Sequence, residues 1–312
     1  MTRARTADLG LVAALVLIVG ALALLSPAFR EPANLIGIGR QVAILGIAAA
    51  AMTFVILAGE IDLSVGAVAS ASAVVTALAL AQGLGALAIP VGLAVGAAFG
   101  LLNGLLVVYV AVPAFIATLV SFFIAQGVAL TLTGGRTILF EADWFRTLFA
   151  TGELFGARAA FWWLVAVVLA LWWALARTRF GAHVYAVGGD AESARMLGLA
   201  VGRIRIAIFT ATGALMGLVG MILIARIGNA RADGAVGLEF DAIAAAVIGG
   251  TRLGGGYGTI PRTVAGVALI GVLNNGLAIL NVDFNTQQVI KGALVIAVVL
   301  VDRWARGTRE GT

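Results

Sequence analysis

The side chains that could do chemistry are few. Glu60, Asp62 and Ser64 fall within one short segment, where carboxylates beside a hydroxyl could in principle serve acid–base or nucleophilic work. No base stands near them in the sequence, so a catalytic reading fails at its first requirement. His183 is the chain's one histidine, and with Asp190 and Glu192 it reads as a solvated loop set. One histidine and no cysteine exclude a polyhistidine metal site, a zinc–thiolate site, an iron–sulfur cluster and a disulfide framework. Gly254-Gly255-Gly256-Tyr257-Gly258 is glycine-rich, but it lacks the GxxxxGK[ST] pattern of a phosphate loop. Arg252 and Arg262 flank it, and it reads as a tight turn between spans. This chain is therefore expected to hold no cofactor and no metal, and not to be an enzyme.

The elements that must position these residues follow from composition. Of 312 residues, 62% are hydrophobic and 11% charged, and the mean hydropathy is +1.10. A soluble domain carries about 25% charged and 45–50% apolar residues. An ordinary soluble enzyme and a disordered chain are excluded. The net charge of +5 comes from basic residues scattered in short runs, not from a concentrated basic face, so no nucleic-acid partner is expected. The expected fold is all-α: a polytopic membrane protein in the lipid bilayer, with residues 1–312 as a single transmembrane domain.

Apolar runs of bridging length give about ten spans in one bundle: Leu9–Leu25, Gln41–Ala58, Ser64–Ala81, Leu87–Val110, Pro113–Leu132, Phe161–Ala176, Ile206–Ile224, Phe240–Gly250, Val264–Leu280 and Val289–Val301. The first could be a signal peptide, but the spans that follow favour a retained helix. With the amino terminus in the cytoplasm, ten spans return the carboxyl terminus there. The 20 basic residues then divide 12 inside to 8 outside, the sign that the positive-inside rule demands. Both termini are expected in the cytoplasm, and the 177–205 segment becomes a large cytoplasmic loop. In the longest outer loop, Glu141–Ala150 has the spacing of a short amphipathic helix. It would lie in the interface or pack on the bundle.

Few spans carry charge, which disfavours an ion- or proton-coupled carrier. Uncharged polar residues do occur within them. Asn103, Thr118, Ser121, Asn274 and Asn275 are candidates for a translocation path, since hydroxyls and amides suit a neutral polyhydroxy solute. Hydrogen bonding between helices is the competing use of the same groups. Gly100-Leu-Leu-Asn103 and Gly271-Val-Leu-Asn274 hint at duplicated halves.

Two segments say more than composition. The first is Leu57-Ala-Gly-Glu-Ile-Asp-Leu-Ser-Val-Gly66. The second is Phe180-Gly-Ala-His-Val-Tyr-Ala-Val-Gly-Gly-Asp-Ala-Glu-Ser-Ala-Arg-Met-Leu-Gly198. Together they resemble the ribose/xylose/arabinose/galactose class of permeases of ATP-binding-cassette importers, within the branched-chain amino-acid and sugar permease superfamily. The resemblance runs from about Gln41 to Arg303 and includes Asp241-Ala-Ile-Ala-Ala-Ala-Val-Ile-Gly-Gly-Thr251 and Gly271-Val-Leu-Asn-Asn-Gly-Leu277. Glu60 stands where the sugar permeases typically have a second glycine. Asp190, Ala191 and Ser193 replace an Asn, a Pro and an Ala of the second motif.

The resemblance implies a transport subunit that borrows ATP hydrolysis from a partner ATPase, which would hold the ATP and magnesium. It implies a second permease copy or paralogue, and a periplasmic or lipoprotein sugar-binding protein. The location would be the bacterial cytoplasmic (inner) membrane. It also implies that Gly189, Asp190, Glu192, Ala194, Arg195, Leu197 and Gly198 form the ATPase-coupling loop. On residue chemistry alone, Asp190 can cap a helix over Ala191–Leu197, Gly198 can end it, and Glu192 and Arg195 can pair within it. Gly59, Asp62, Ser64 and Gly66 form the first motif, which nominal topology places near the cytoplasmic side as a gate or a second ATPase contact, or else as a cap and packing piece, with Asp62 capping a helix that begins near Leu63 or Ser64. A branched-chain amino-acid permease and a secondary carrier are the alternatives.

Overall fold

A backbone inside lipid must satisfy its own hydrogen bonds, so this composition resolves into helices. The computed structural model describes residues 2–283, together with 285–287, 289–290, 292–293 and 296. Its helices are α1 (Thr2–Leu25), α2 (Pro32–Leu57), α3 (Val65–Ala81), α4 (Ala88–Tyr109), α5 (Ala114–Thr133), α6 (Asp143–Arg146), α7 (Ala159–Arg177), α8 (Arg179–Gly189), α9 (Ala191–Met196), α10 (Val201–Ile227), α11 (Leu238–Ile248) and α12 (Ile260–Ile279). Two small antiparallel ribbons join Ile138–Leu139 to Asn229–Ala230 and Glu153–Leu154 to Ala157–Arg158.

Among the described residues, six helices are long and apolar enough to cross a membrane. The expected count of ten is not reached by that measure. The Ser64–Ala81 span is α3, with 17 residues. The Phe240–Gly250 span is α11, whose 11 residues reach only about 16 Å, half a bilayer core. The first span lies within α1, whose apolar part Ala13–Leu25 is also short. The Val289–Val301 span falls largely outside the described residues. The other six expected spans coincide with α2, α4, α5, α7, α10 and α12.

Small residues set the packing. α4 and α10 run antiparallel and touch backbone to backbone. A Cβ at Gly96 would overlap the Gly213 carbonyl, one at Gly100 the Phe209 carbonyl, and one at Gly213 the Gly96 carbonyl. Ala114, Ala117, Thr118, Ser121, Ala125 and Ala129 recur at three- and four-residue spacing and form the buried stripe of α5. On the opposite side of α5, Phe115, Leu119 and Phe123 are exposed.

Helix directions divide the bundle into two ends. At one end the chain leaves α2, α4 and α7, enters α10 and α12, and carries α8 and α9. Arg177, Arg179, Arg195, Arg203, Arg205, Arg252 and Arg262 gather there. At the other end lie the two ribbons, α6 and the paired amides of Asn34 and Asn275. The 141–150 segment packs on the bundle there: Phe145 and Phe149 are buried, and Phe149 stacks on Trp163. Trp144 and Leu148 remain exposed, so the segment is amphipathic and docked at once.

The glycine contacts predict a sharp contrast. Gly96→Leu is expected to cost at least about 1–3 kcal/mol by overpacking. Gly127→Ala, with nothing near its added methyl group, should change stability by no more than about 1 kcal/mol, towards stabilisation. Thermal unfolding of the purified protein in detergent reads both.

Candidate functional site

The first motif forms a buried turn between α2 and α3. Gly59 has φ +81°, a left-handed conformation that glycine adopts without strain, and it turns the chain out of α2. Asp62 is 2% exposed, and its Oδ1 accepts from the Ser64 N–H (2.8 Å) and the Ser64 hydroxyl (2.6 Å). The Ser64 hydroxyl in turn accepts from Asn103 Nδ2 on α4 (2.9 Å). Thr118 on α5 accepts the Leu63 N–H (3.0 Å) and donates to the Ala114 carbonyl (2.8 Å). Asp62 therefore does not cap α3 as expected: α3 begins at Val65, and the carboxylate closes the turn one step earlier.

Gly66, the last motif position, marks a second close approach. A Cβ there would overlap the Glu239 carboxylate and the Ala235 carbonyl. The chain beyond α10 folds back against α3: the Ala235 N–H donates to Ser70 Oγ (2.9 Å), and Gly237 N–H to Glu239 Oε1 (3.0 Å). α11 starts there, deep against α3. Glu60, the departure from the sugar-permease pattern, pairs with Arg205 of α10 at 2.9 Å. Neither Glu239 nor the Arg205 partnership was visible in the sequence, because both depend on the chain folding back across the bundle.

The second motif forms α8 and α9. Asp190 caps α9, with Oδ1 accepting from the Glu192 and Ser193 N–H groups (2.9 and 3.2 Å) and Oδ2 from the Ser193 hydroxyl (2.6 Å). These bonds, led by the Ser193 hydroxyl, hold the Asp190 carboxyl below the usual carboxylate range. Gly198, with φ +83°, ends the helix, and its N–H donates to the Arg195 carbonyl. Glu192 and Arg195 pair at 3.0 Å, both exposed. Ala194 is buried, while Met196 and Leu197 are 75% and 81% exposed. Gly189 has open space around it; the tight position is its neighbour Gly188, where a Cβ would overlap the Leu57 carbonyl. That same carbonyl accepts the Gly256 N–H at 3.0 Å. The Gly254–Gly258 turn is thus a packing piece between α2 and α8, and Tyr185 donates its hydroxyl proton to the Gly258 carbonyl (2.7 Å).

Among the described residues the five path candidates lie at several separate places. Asn103 and Thr118 join the Ser64 turn. Ser121 is fully buried, with no partner for its hydroxyl among the described residues. Asn274 donates to Asp241 at 3.3 Å, and Asn275 exchanges amide bonds with Asn34 at the far end.

Residues 34–299 match the family described as branched-chain amino acid transport system / permease component. The chain belongs to that permease family. Relatives within it carry the name ribose import permease protein RbsC. The Escherichia coli (strain K12) protein is 38% identical over 294 residues, covering 93% of this chain and 91% of the relative. The Bacillus subtilis (strain 168) protein is 39% identical over 291 residues, covering 93% and 90%. The L-arabinose ABC transporter permease protein AraH of Azospirillum brasilense is 33% identical over 302 residues, covering 96% and 89%. No solved structure matches the chain. These permeases are the sugar class to which the two motifs pointed.

Two outcomes test the local geometry. Asp62→Ala leaves the Ser64 N–H and hydroxyl without their acceptor and should destabilise the permease by about 1–3 kcal/mol, read by thermal unfolding. Asp190→Ala should speed amide exchange at Glu192 and Ser193 several-fold, and Asp190→Asn much less. Because the folded carboxyl value is depressed, the cap is at full strength above the usual carboxylate range. It is lost as pH falls through the depressed value, where wild type should come to resemble Asp190→Ala.

Proposed function

We propose that this chain is the membrane-spanning permease subunit of an ATP-binding-cassette importer for a monosaccharide, a ribose-like pentose or a hexose. The observation that carries the reading is the match to ribose and arabinose permeases over about nine-tenths of both chains. The end that bears α8 and α9 is cytoplasmic, in keeping with its gathered arginines. The chain crosses the inner membrane about ten times, with α11 as a half-length element, and both termini are cytoplasmic. Residues 1–312 act as one permease domain. Residues 177–205 act as its coupling loop, with Gly189, Asp190, Glu192, Ala194, Arg195, Leu197 and Gly198 in the segment that docks on the ATPase. ATP and magnesium belong to that partner, and this chain makes and breaks no covalent bond.

A second permease copy or a paralogue completes the translocation path, and a periplasmic or lipoprotein binding protein delivers the sugar. Transport proceeds by alternating access. Nucleotide binding and release on the ATPase shift the populations of inward- and outward-open states through their different contacts with α9. The Gly59, Asp62, Ser64 and Gly66 turn sits beside this cytoplasmic end and serves as the gate segment. Its bonds to Asn103 and Thr118 fix α4 and α5 against it.

A tagged chain, gently solubilised from its host, should retain a stoichiometric partner that hydrolyses ATP. Vesicles holding the complex and the binding protein should take up ribose or a related sugar, not leucine, only with ATP. Glu192→Arg, or deletion of residues 191–197, should abolish uptake while leaving the permease in the membrane. Uptake without any ATPase would make the chain a secondary carrier, and full uptake by the loop variants would remove α9 from the coupling.

A further inference from the structure

The polar residues expected to line the path are turned inward. α5 explains why: its small and hydroxylated residues occupy the stripe that packs on α3 and α4, because only small side chains allow helices to approach closely. What α5 turns outward is apolar and aromatic.

A cavity of about 450 Å³ lies against that outward side. Leu119 and Phe122 of α5 form one wall, and Leu63 of the motif turn forms the second. Gly237, Glu239 and Phe240, from the segment that folds back into the bundle, form the third. It opens to the surface, where Leu119 and Phe240 are 40% and 60% exposed. Two carboxylates border it. Asp233 sits at the rim, held by both nitrogens of a fork from Arg231 at 3.1 Å. Glu239 is 2% exposed, and its Oε2 has no hydrogen-bond partner among the described residues.

The size falls within the range of small-molecule sites, which pair apolar and aromatic walls with a few polar groups. A sugar ring matches that division. Its C–H faces are apolar and suit a phenyl plane, while its hydroxyls donate to carboxylate oxygens. The carboxylates also set a limit on charge: an anionic solute would be repelled, whereas a neutral one would not. An irregular backbone at depth in the bundle is tolerated where it lines a cavity, which fits the 228–237 segment.

Resting on the importer reading above, we infer that this cavity is where the chain touches its solute, with Phe122 and Phe240 as ring platforms. The solute class is a neutral, unphosphorylated monosaccharide. Asn103, Thr118, Ser121, Asn274 and Asn275 are structural by contrast.

The chain contains no cysteine, so single-cysteine variants report one position each. Leu119→Cys, Phe122→Cys and Phe240→Cys are made in the complete importer, with Thr118→Cys and Ser121→Cys as inward-facing comparisons. The probe is a charged, membrane-impermeant methanethiosulfonate, and ribose and arabinose are the protecting solutes. The three cavity positions should label, labelling should block uptake, and saturating sugar should slow labelling several-fold. The two inward positions should not label. Phe240→Ala should raise the KM for uptake several-fold with kcat little changed, and Phe240→Trp should restore it. Labelling at 118 and 121 but not at 119, 122 and 240 overturns the inference. So does labelling at the cavity that leaves uptake intact. If the cysteine-free parent takes up no sugar with its ATPase, the importer reading falls and this inference with it. If the parent transports and the cavity stays unlabelled, only the inference falls.

Discussion

Two backbones can touch only where neither presents a side chain, and this bundle is held together at such places. In lipid the hydrophobic effect gives helices little reason to associate, so close van der Waals contact must do it. α4 and α10 meet along Gly96, Gly100 and Gly213. The motif turn meets the folded-back segment at Gly66, and α8 meets the end of α2 at Gly188. Each contact fixes one element that the proposed transport cycle needs: the bundle itself, the floor of the cavity and the seat of the coupling helix.

The same constraint separates groups that build from groups that meet solvent or solute. Hydroxyls and amides are small enough to stand in the close-packed stripes, where Thr53, Ser70, Thr76 and Thr118 bond the carbonyl one turn back and Asn103 bonds Ser64. The carboxylates at the cavity belong to a segment that is neither a full span nor a surface loop. Its half-length helix α11 brings Glu239 to a depth that a complete span would have filled with apolar side chains.

Helix positions were legible in the sequence because apolar length is a one-dimensional property. The ends of α4, α5 and α12 fall within a few residues of the expected spans. The cap at Asp190 and the stop at Gly198 were legible for the same reason, since capping is local. The two motifs marked the permease family before any geometry was known. The cavity proposed for the solute was not legible. Polarity alone pointed to Thr118 and Ser121, but which face of α5 they occupy depends on where the small residues pack. Asp62 bonds the Ser64 N–H, but α3 itself begins only at Val65, one or two residues beyond the expected start, so its carboxylate closes the preceding turn. Glu60 and Arg205 lie far apart in sequence, and no local pattern announces their bond.

The meeting of Leu57, Gly188 and Gly256 leaves no cushion. One carbonyl oxygen accepts a hydrogen bond from the Gly256 turn while the α8 backbone rests on the same peptide. Side chains between elements can change rotamer and soak up a displacement; bare main chain cannot. In the proposed cycle, a push delivered to the α8–α9 arm would bear directly on the end of α2, beside the turn at Gly59. Under that proposal the junction would be the fulcrum of a stiff lever, stiff because main chain meets main chain there.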